Sequence, residues 1–325
     1  MAAITESSAI SYGGAKEPGL LGRLAGAKTA LQANEAIWGY ILLTPWIVGL
    51  LIFWIGPILA SAYFSVLEYD VLSPSKFIGL ENYIRAFTGD KQFWPSFGRT
   101  FYYSIVVVPL GLFGSLALAI LLNQKLKATN FFRTIFFLPH LTPAVALALL
   151  WVWLLHPTVG PVNTALGWIG IDGPGWLTSK DWAIPALILI SLWSGVGGNG
   201  MLIFLAGLQG VPQELYEAAE IDGAGSWSKF RNVTLPMISP TLLFNLILGI
   251  IGALKVFTLA FVATNGGPSF ATWFYALHIY RQSFEYFRMG YGSALAWIFV
   301  IVLMAFTYIQ LTLSRRWVYY AGEKD

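Results

Sequence analysis

The feature that most constrains this chain is a set of six long stretches almost free of Asp, Glu, Lys and Arg. They run from about Ile37 to Leu67, Phe101 to Leu122, Ile135 to Leu155, Ala183 to Leu208, Met237 to Thr264 and Tyr291 to Leu313, the fifth broken only by Lys255. A bilayer's hydrocarbon core is about 30 Å thick and takes roughly 20 helical residues to cross, so each run is long enough. Lipid offers backbone groups no water, which leaves a helix or a closed barrel as the spanning structure. The ten-residue alternation of a barrel strand is absent. Composition agrees, with 57% hydrophobic and 11% charged residues, far from a soluble domain. The expected fold class is all-α, a polytopic membrane bundle of six transmembrane helices over residues 37–314. A flexible tail (1–36) precedes it and a short tail (315–325) follows. The first run is too long for a signal-peptide core and reads as a retained span, despite the cleavage-like "ASA" at Ala60 to Ala62.

Orientation follows from the distribution of positive charge. With both termini inside, the inner segments hold eleven basic residues: Lys16, Arg23, Lys28, Lys125, Lys127, Arg133, Lys229, Arg231, Arg315, Arg316 and Lys324. The outer ones hold seven: Lys76, Arg85, Lys91, Arg99, Lys180, Arg281 and Arg288. Cytoplasmic termini are expected. The outer connections Glu68 to Thr100 and His156 to Trp182 hold most of the Pro, Gly and Asp punctuation. Within the first, "LENYIRAF" (Leu80 to Phe87) has helical spacing and suits either the membrane surface or packing on its own bundle. Cysteine is absent, excluding disulfides and thiolate metal sites. The tail segment "GRLAGAKT" (Gly22 to Thr29) misses the phosphate-cradling pattern by Ala27 and lacks the flanking strand and helix such a loop needs. Any ATP-driven work must therefore use another chain's ATPase.

Between the fourth and fifth runs lies "QELYEAAEIDGAGSWSKFRNVTLP" (Gln213 to Pro236), a polar insert flanked by greasy segments. Pro212 suits a first helical position, and Glu214 and Glu217 sit where the helix dipole favours anions. Leu215, Ala218 and Ala219 form a narrow stripe of mostly small residues. Asp222 and Gly223 signal a stop, and Trp227 and Phe230 open a second short helix, closed by Leu235 and Pro236. Connectors that lie on anionic headgroups carry basic faces, whereas this one carries Glu214, Glu217, Glu220 and Asp222 against Lys229 and Arg231. A docking surface for a protein is the favoured reading.

Glu217-Ala218-Ala219, then Gly223, then Leu235-Pro236 resembles the EAA signature of permease subunits in binding-protein-dependent ABC importers. "FFRTIFFLPHLTP" (Phe131 to Pro143), "TNGGPS" (Thr264 to Ser269), "GYGSALAW" (Gly290 to Trp297) and "RRWVYYAGE" (Arg315 to Glu323) look like the sugar, maltose-type, branch. The resemblance implies a type I importer permease fold, with Glu217, Ala218, Ala219, Asp222, Gly223, Leu235 and Pro236 coupling to an ATPase through the loop 211–236. It also implies a second permease chain as heterodimer partner, two ATPase subunits, an extracytoplasmic solute-binding protein and a prokaryotic inner-membrane location. This chain would bind no cofactor or metal, ATP and Mg being used by the ATPase; lipid is its surroundings, and nucleic acid has no role.

A translocated sugar needs hydroxyl partners and flat apolar faces inside the bundle. His140, between Pro139 and Pro143, matches a family position that contacts substrate, and Ala144 lies one turn on; a histidine bonded to carbonyls freed by the prolines is the alternative. Ser191, Trp193, Ser194 and Asn199 occupy the glycine-rich "SLWSGVGGNG" (Ser191 to Gly200), where close helix packing competes with substrate contact. Lys255 pairs, snorkels or faces a wet cavity. Trp193 and Phe257 are candidates for stacking on sugar rings, and Asn245 sits nearer the inner side. An ion-coupled secondary transporter is the alternative class, weakened because no Asp or Glu falls inside a run. A membrane-embedded enzyme lacks any nucleophile or metal motif here.

Overall fold

The structure, a computed structural model, describes residues 30–124 and 128–320. The segment Gly22 to Thr29, the basic residues Lys16, Arg23, Lys28, Lys125, Lys127 and Lys324, nearly all of the N-terminal tail and the end of "RRWVYYAGE" lie outside the described residues. The chain divides into two compact units, one ending at Tyr63 and one beginning at Phe64.

The first unit holds α1 (Ala30–Leu50), a wide π turn, Leu51–Ile55, and all but the last two residues of α2 (Gly56–Ser65). Pro57 can donate no backbone hydrogen bond, and the wide turn forms just ahead of it, with Gly56 N–H bonded to Leu51 O. Leu42, Phe53 and Trp54 are all exposed, and a helix apolar on every side belongs in lipid. Residues Asn34–Ser65 are long and apolar enough to cross a membrane.

The second unit opens with a minimal antiparallel pair, β1 (Leu67–Glu68) and β2 (Lys76–Phe77), followed by α3 (Glu81–Thr88). Asn82 ties α3 to this turn by donating its amide to Ser65 O and Leu67 O at 3.0 and 2.8 Å. Asn82 and Ala86 are buried while Ile84 and Phe87 face outward, so α3 packs on the bundle by one face and leaves an apolar one free. The spine is α4 (Phe93–Asn123), 31 residues and about 46 Å at the helical rise. It starts eight residues before the expected Phe101, because Arg99 ends the uncharged run without ending the helix.

The third run is corrected by the structure. It is no unbroken helix but a bent pair, α5 (Thr129–Leu141) and α6 (Ala144–Leu154), meeting at 93°. Thr142 is extended (φ −69°, ψ 129°) because the ring of Pro143 excludes the helical region from the residue before it. After α7 (Pro161–Trp168), the fourth run is likewise two helices, α8 (Ala183–Gly195) and α9 (Asn199–Gln209), bent by 45° at Val196 to Gly198. The polar insert forms α10 (Gln213–Ile221), α11 (Ser226–Lys229), a π turn Phe230–Thr234 and α12 (Leu235–Met237). The fifth run is α13 (Ser239–Leu254) and α14 (Thr258–Ala263), interrupted at Lys255 to Phe257. α15 (Tyr275–Tyr280) and α16 (Met289–Ser314) complete the chain. Among the described residues four helices thus have spanning length, and up to six spans result if each bent pair counts once.

Three packed clusters flank α4. Leu116, Ala119, Met201, Phe204 and Ile238 join it to α9 and the start of α13, near the end that carries the polar insert. Val108, Leu187, Ile190 and Phe274 fill the middle. Phe93, Tyr275, Tyr291 and Leu295 close the opposite end. There Asp90 accepts from His278 Nε2 at 2.8 Å and Tyr291 Oη at 2.6 Å, while His278 Nδ1 accepts from Trp273 Nε1 at 3.1 Å. Because an indole nitrogen only donates, this network assigns His278 the tautomer that gives its proton to Asp90. Burial pushes the Asp90 carboxyl up, but the His278 and Tyr291 donors outweigh it and hold the group well below the usual carboxylate range.

Candidate functional site

Inside the second unit a cavity of about 410 Å³ opens between α4, the end of α5, the α8–α9 break and α13. That volume lies within the ligand-pocket range of about 300–1,000 Å³. Gly111, Gly195, Gly200, Gly249 and Gly252 provide the room, and its walls are mostly apolar. Its polar groups are few: Tyr103, Ser115, His140, Ser191, Asn199 and Asn245. Tyr103 Oη and Ser191 Oγ share a 2.6 Å hydrogen bond, Ser115 donates to Val196 O at 3.0 Å, and Asn245 donates to Thr241 O at 3.1 Å. No lining residue is Asp, Glu, Lys or Arg.

Of the eight residues that the sequence singles out for a path, His140, Ser191 and Asn199 line this cavity. Ala144 opens α6 and lies outside the lining. Trp193 is 59% exposed and meets Trp151 edge to face at 6.0 Å. Ser194 turns back to the carbonyls of Ile190 and Ser191. Lys255 sits exposed at the break after α13, with no hydrogen bond or ion pair from its side chain among the described residues, and Phe257 stacks on Phe261 at 5.4 Å. Tyr103, Ser115 and Asn245 were not singled out as path residues from the sequence. A signal existed: Tyr103, Val107, Gly111 and Ser115 recur every fourth residue along one face of α4, and Asn245, Gly249 and Ala253 do the same on α13.

His140 takes no hydrogen bond among the described residues; its ring lies 5.6 Å from that of Phe137. What admits it is Gly198, where an added Cβ would stand 2.7 Å from His140 Nδ1. At Gly197 an added Cβ would run into the backbone carbonyl of Phe136. The two broken spans therefore interlock, the glycine break of one receiving the proline bend of the other, with His140 at the seam facing the cavity.

At the near end, Pro212 is the N-cap of α10 (φ −58°, ψ 132°) rather than its first residue. Glu217, Ala218 and Asp222 are exposed, Ala219 is half-buried, and Ile221 is 87% and Trp227 72% exposed. Gly223 has φ +76°, and the N–H groups of Gly223 and Ala224 close α10 on Glu220 O and Ala219 O. Lys229 bonds Glu220 at 2.6 Å and Tyr216 Oη meets Thr234 Oγ1 at 2.9 Å, so the two arms of the bend are tied together. Leu235 and Pro236 do not close the second helix as expected. Leu235 N–H reaches back to Phe230 O across the π turn, and Pro236 sits in the first turn of α12, where its missing N–H costs nothing.

The family described as binding-protein-dependent transport system inner membrane component matches residues 101–319. The chain belongs to this family. As such a permease, it is the membrane-translocating subunit of an ABC transporter and not itself an enzyme. It is 38% identical to the probable ABC transporter permease protein YesP of Bacillus subtilis (strain 168), over 90% of this chain and 95% of that protein. It is 34% identical to the trehalose/maltose transport system permease protein MalF of Thermococcus litoralis, over 88% and 96%. Among solved structures, a bacterial ABC transporter involved in the import of the acidic polysaccharide alginate matches with a TM-score of 0.79 and 26% identity, covering 90% of this permease and 99% of that chain. The alginate transporter in complex with its pentasaccharide-bound periplasmic protein matches with a TM-score of 0.78 and 26% identity, covering 87% and 96%. The fold is that of a type I importer permease. No group of three or more His, Cys, Asp or Glu that could hold a metal occurs among the described residues.

Proposed function

We propose that this permease passes a neutral sugar or short oligosaccharide, delivered by an extracytoplasmic binding protein, through the cavity bounded by α4, α8, α9 and α13. The observation that carries this reading is the lining itself. Hydroxyl, amide and imidazole groups are set in apolar walls without one charged side chain, which suits polyhydroxylated solutes with flat C–H faces. An anionic cargo would find no cation there, and an ion-coupled mechanism would find no carboxylate. The names of relatives that carry trehalose, maltose or lactose support the sugar class.

The working unit is this chain with a second permease, two ATPase subunits and the binding protein, in a prokaryotic inner membrane with both termini cytoplasmic. ATP and Mg act at the ATPase, and this chain holds neither. The bent pair α10 to α12 docks on the ATPase through Glu217, Ala218, Asp222 and the exposed Ile221, and returns its displacement to α9 and α13 as a rigid body. The test is uptake by the complete transporter in proteoliposomes of radiolabelled trehalose, maltotriose, lactose and glycerol 3-phosphate. ATP-dependent, binding-protein-dependent uptake of at least one uncharged sugar is expected. Uptake of glycerol 3-phosphate alone would overturn the neutral-sugar reading.

A further inference from the structure

The second arm of the bent pair ends in a link that is hinged on both sides. Before α12 (Leu235–Met237) lies the π turn Phe230–Thr234, and after it Ile238 leaves the helical region (φ −91°, ψ 4°) before α13 begins. Helices bend at such turns, so a three-residue link between them passes on a displacement only as far as side chains hold it. Two sets of bonds do. Tyr216 Oη meets Thr234 Oγ1 at 2.9 Å on the side of α10. On the other side Ser239, the first residue of α13 and 3% exposed, donates its hydroxyl to Pro236 O at 2.6 Å and accepts the N–H of Tyr319 at 2.8 Å. A hydroxyl has one proton to give, so these two bonds fix its direction.

Tyr319 follows the last span. The chain there is a firm continuation of α16, with the N–H groups of Trp317 and Val318 both bonded to Ser314 O, at 3.0 and 2.9 Å. At the far end α13 and α16 meet again, where Leu254 packs in one cluster with Leu295, Ile298 and Phe299. Asn245, Gly249, Gly252 and Ala253 of α13 line the cavity, and no residue of α16 does. The helix that forms the cavity wall and the helix behind it are thus fastened to each other at both ends. A hydroxyl that merely closes the α12–α13 junction needs the bond to Pro236 O; the N–H it takes from 80 residues further along the chain is required by no helix start.

We propose that Ser239 is a positioning residue of the transport cycle: by holding Tyr319 to the hinged link, it makes α13 and α16 move as one body, so that displacement of the bent pair reaches the last span as well as the cavity wall. The tie rests on the reading of α10 to α12 as the coupling element.

The test measures distances between pairs of nitroxide labels in the complete transporter, its other subunits freed of cysteine, with and without ATP and vanadate. This chain has no cysteine of its own. Leu121→Cys on α4 is paired with Phe244→Cys on α13 or with Tyr308→Cys on α16, sites that are 56%, 51% and 72% exposed. ATP should shift both distances in the chain that keeps Ser239. Ser239→Ala should retain the α13 shift and lose at least half of the α16 shift, with ATP hydrolysis and chain abundance unchanged. Tyr319→Pro, which removes the N–H from the other side of the bond, should do the same, and the two together no more than either alone. An α16 shift that is absent from the start, that survives both substitutions, or that falls additively in the double variant overturns the tie and leaves the coupling reading standing. Loss of the α13 shift together with that of α16 in both variants also overturns it, since Ser239 would then hold the fold rather than join two helices. If neither helix shifts while ATP is hydrolysed, the coupling reading falls and the tie with it.

Discussion

Asp90 is a charged group held between three elements, and its surroundings make its effect on stability depend on pH. A carboxylate whose folded pKa is depressed contributes stability that is fully present above its unfolded value, near 3.9, and is lost as pH falls toward the folded one. With His278 and Tyr291 as donors, Asp90→Asn should cost about 1.5–3 kcal/mol at pH 7. Thermal unfolding of the purified chain in detergent from pH 8 to pH 3 checks this. The gap between variant and wild type should begin to narrow below about pH 4, and a gap independent of pH would show that shape rather than charge holds the site. Gly197 is decisive in another way, because its missing Cβ is what lets the glycine break approach Phe136 O. Gly197→Ala should lower the melting temperature, by an overpacking cost of about 1–3 kcal/mol. Gly195→Ala, where an added Cβ meets nothing within 4 Å, should change little.

Among elements, the bent pair α10 to α12 separates folding from coupling. Gly223 stands at φ +76°, yet a Cβ there would meet nothing within 4 Å. Aspartate tolerates the left-handed region better than most residues. Gly223→Asp should therefore still insert and fold, at a backbone cost of about 1–2 kcal/mol, while placing a new charge on the proposed docking surface; Glu217→Lys, on an exposed face, should add its charge without that strain. ATP hydrolysis and uptake measured together in proteoliposomes should show hydrolysis retained and uptake reduced severalfold. Normal uptake in both variants would remove this role from the loop. The bend itself was legible in the sequence, since Gly223, Pro212 and the acidic face are local signals. The route of its second arm was not: Pro236 reads as a stop, and only the π turn at Phe230–Thr234 lets the helix continue through it. The broken spans were half legible in the same sense. Pro139, Pro143 and the glycines of Ser191 to Gly200 announce weak helices, but a 93° bend depends on what α5 packs against.

On the scale of the whole molecule, the all-α membrane bundle follows from the uncharged runs alone, because lipid leaves helices few alternatives. The cavity does not follow in the same way. His140, Ser191 and Asn199 are unusual for their surroundings and stand out singly. Tyr103, Ser115 and Asn245 look like ordinary span residues until α4 and α13 are set side by side, which no local pattern dictates. In the proposed mechanism this cavity is joined to a remote motor through α9 and α13, which carry the bent pair between them, so the bend must touch that motor. Ile221 is 87% exposed at its tip, and the chain contains no cysteine. The direct measurement places benzophenone maleimide on Ile221→Cys in the complete transporter, irradiates with and without ATP, and identifies what is attached. A crosslink to the ATPase subunit, with yield changing when ATP is added and uptake lost in proportion, is the predicted result. A tip that attaches only to lipid or to this chain, in both states and with uptake intact, would remove the bend from the coupling path.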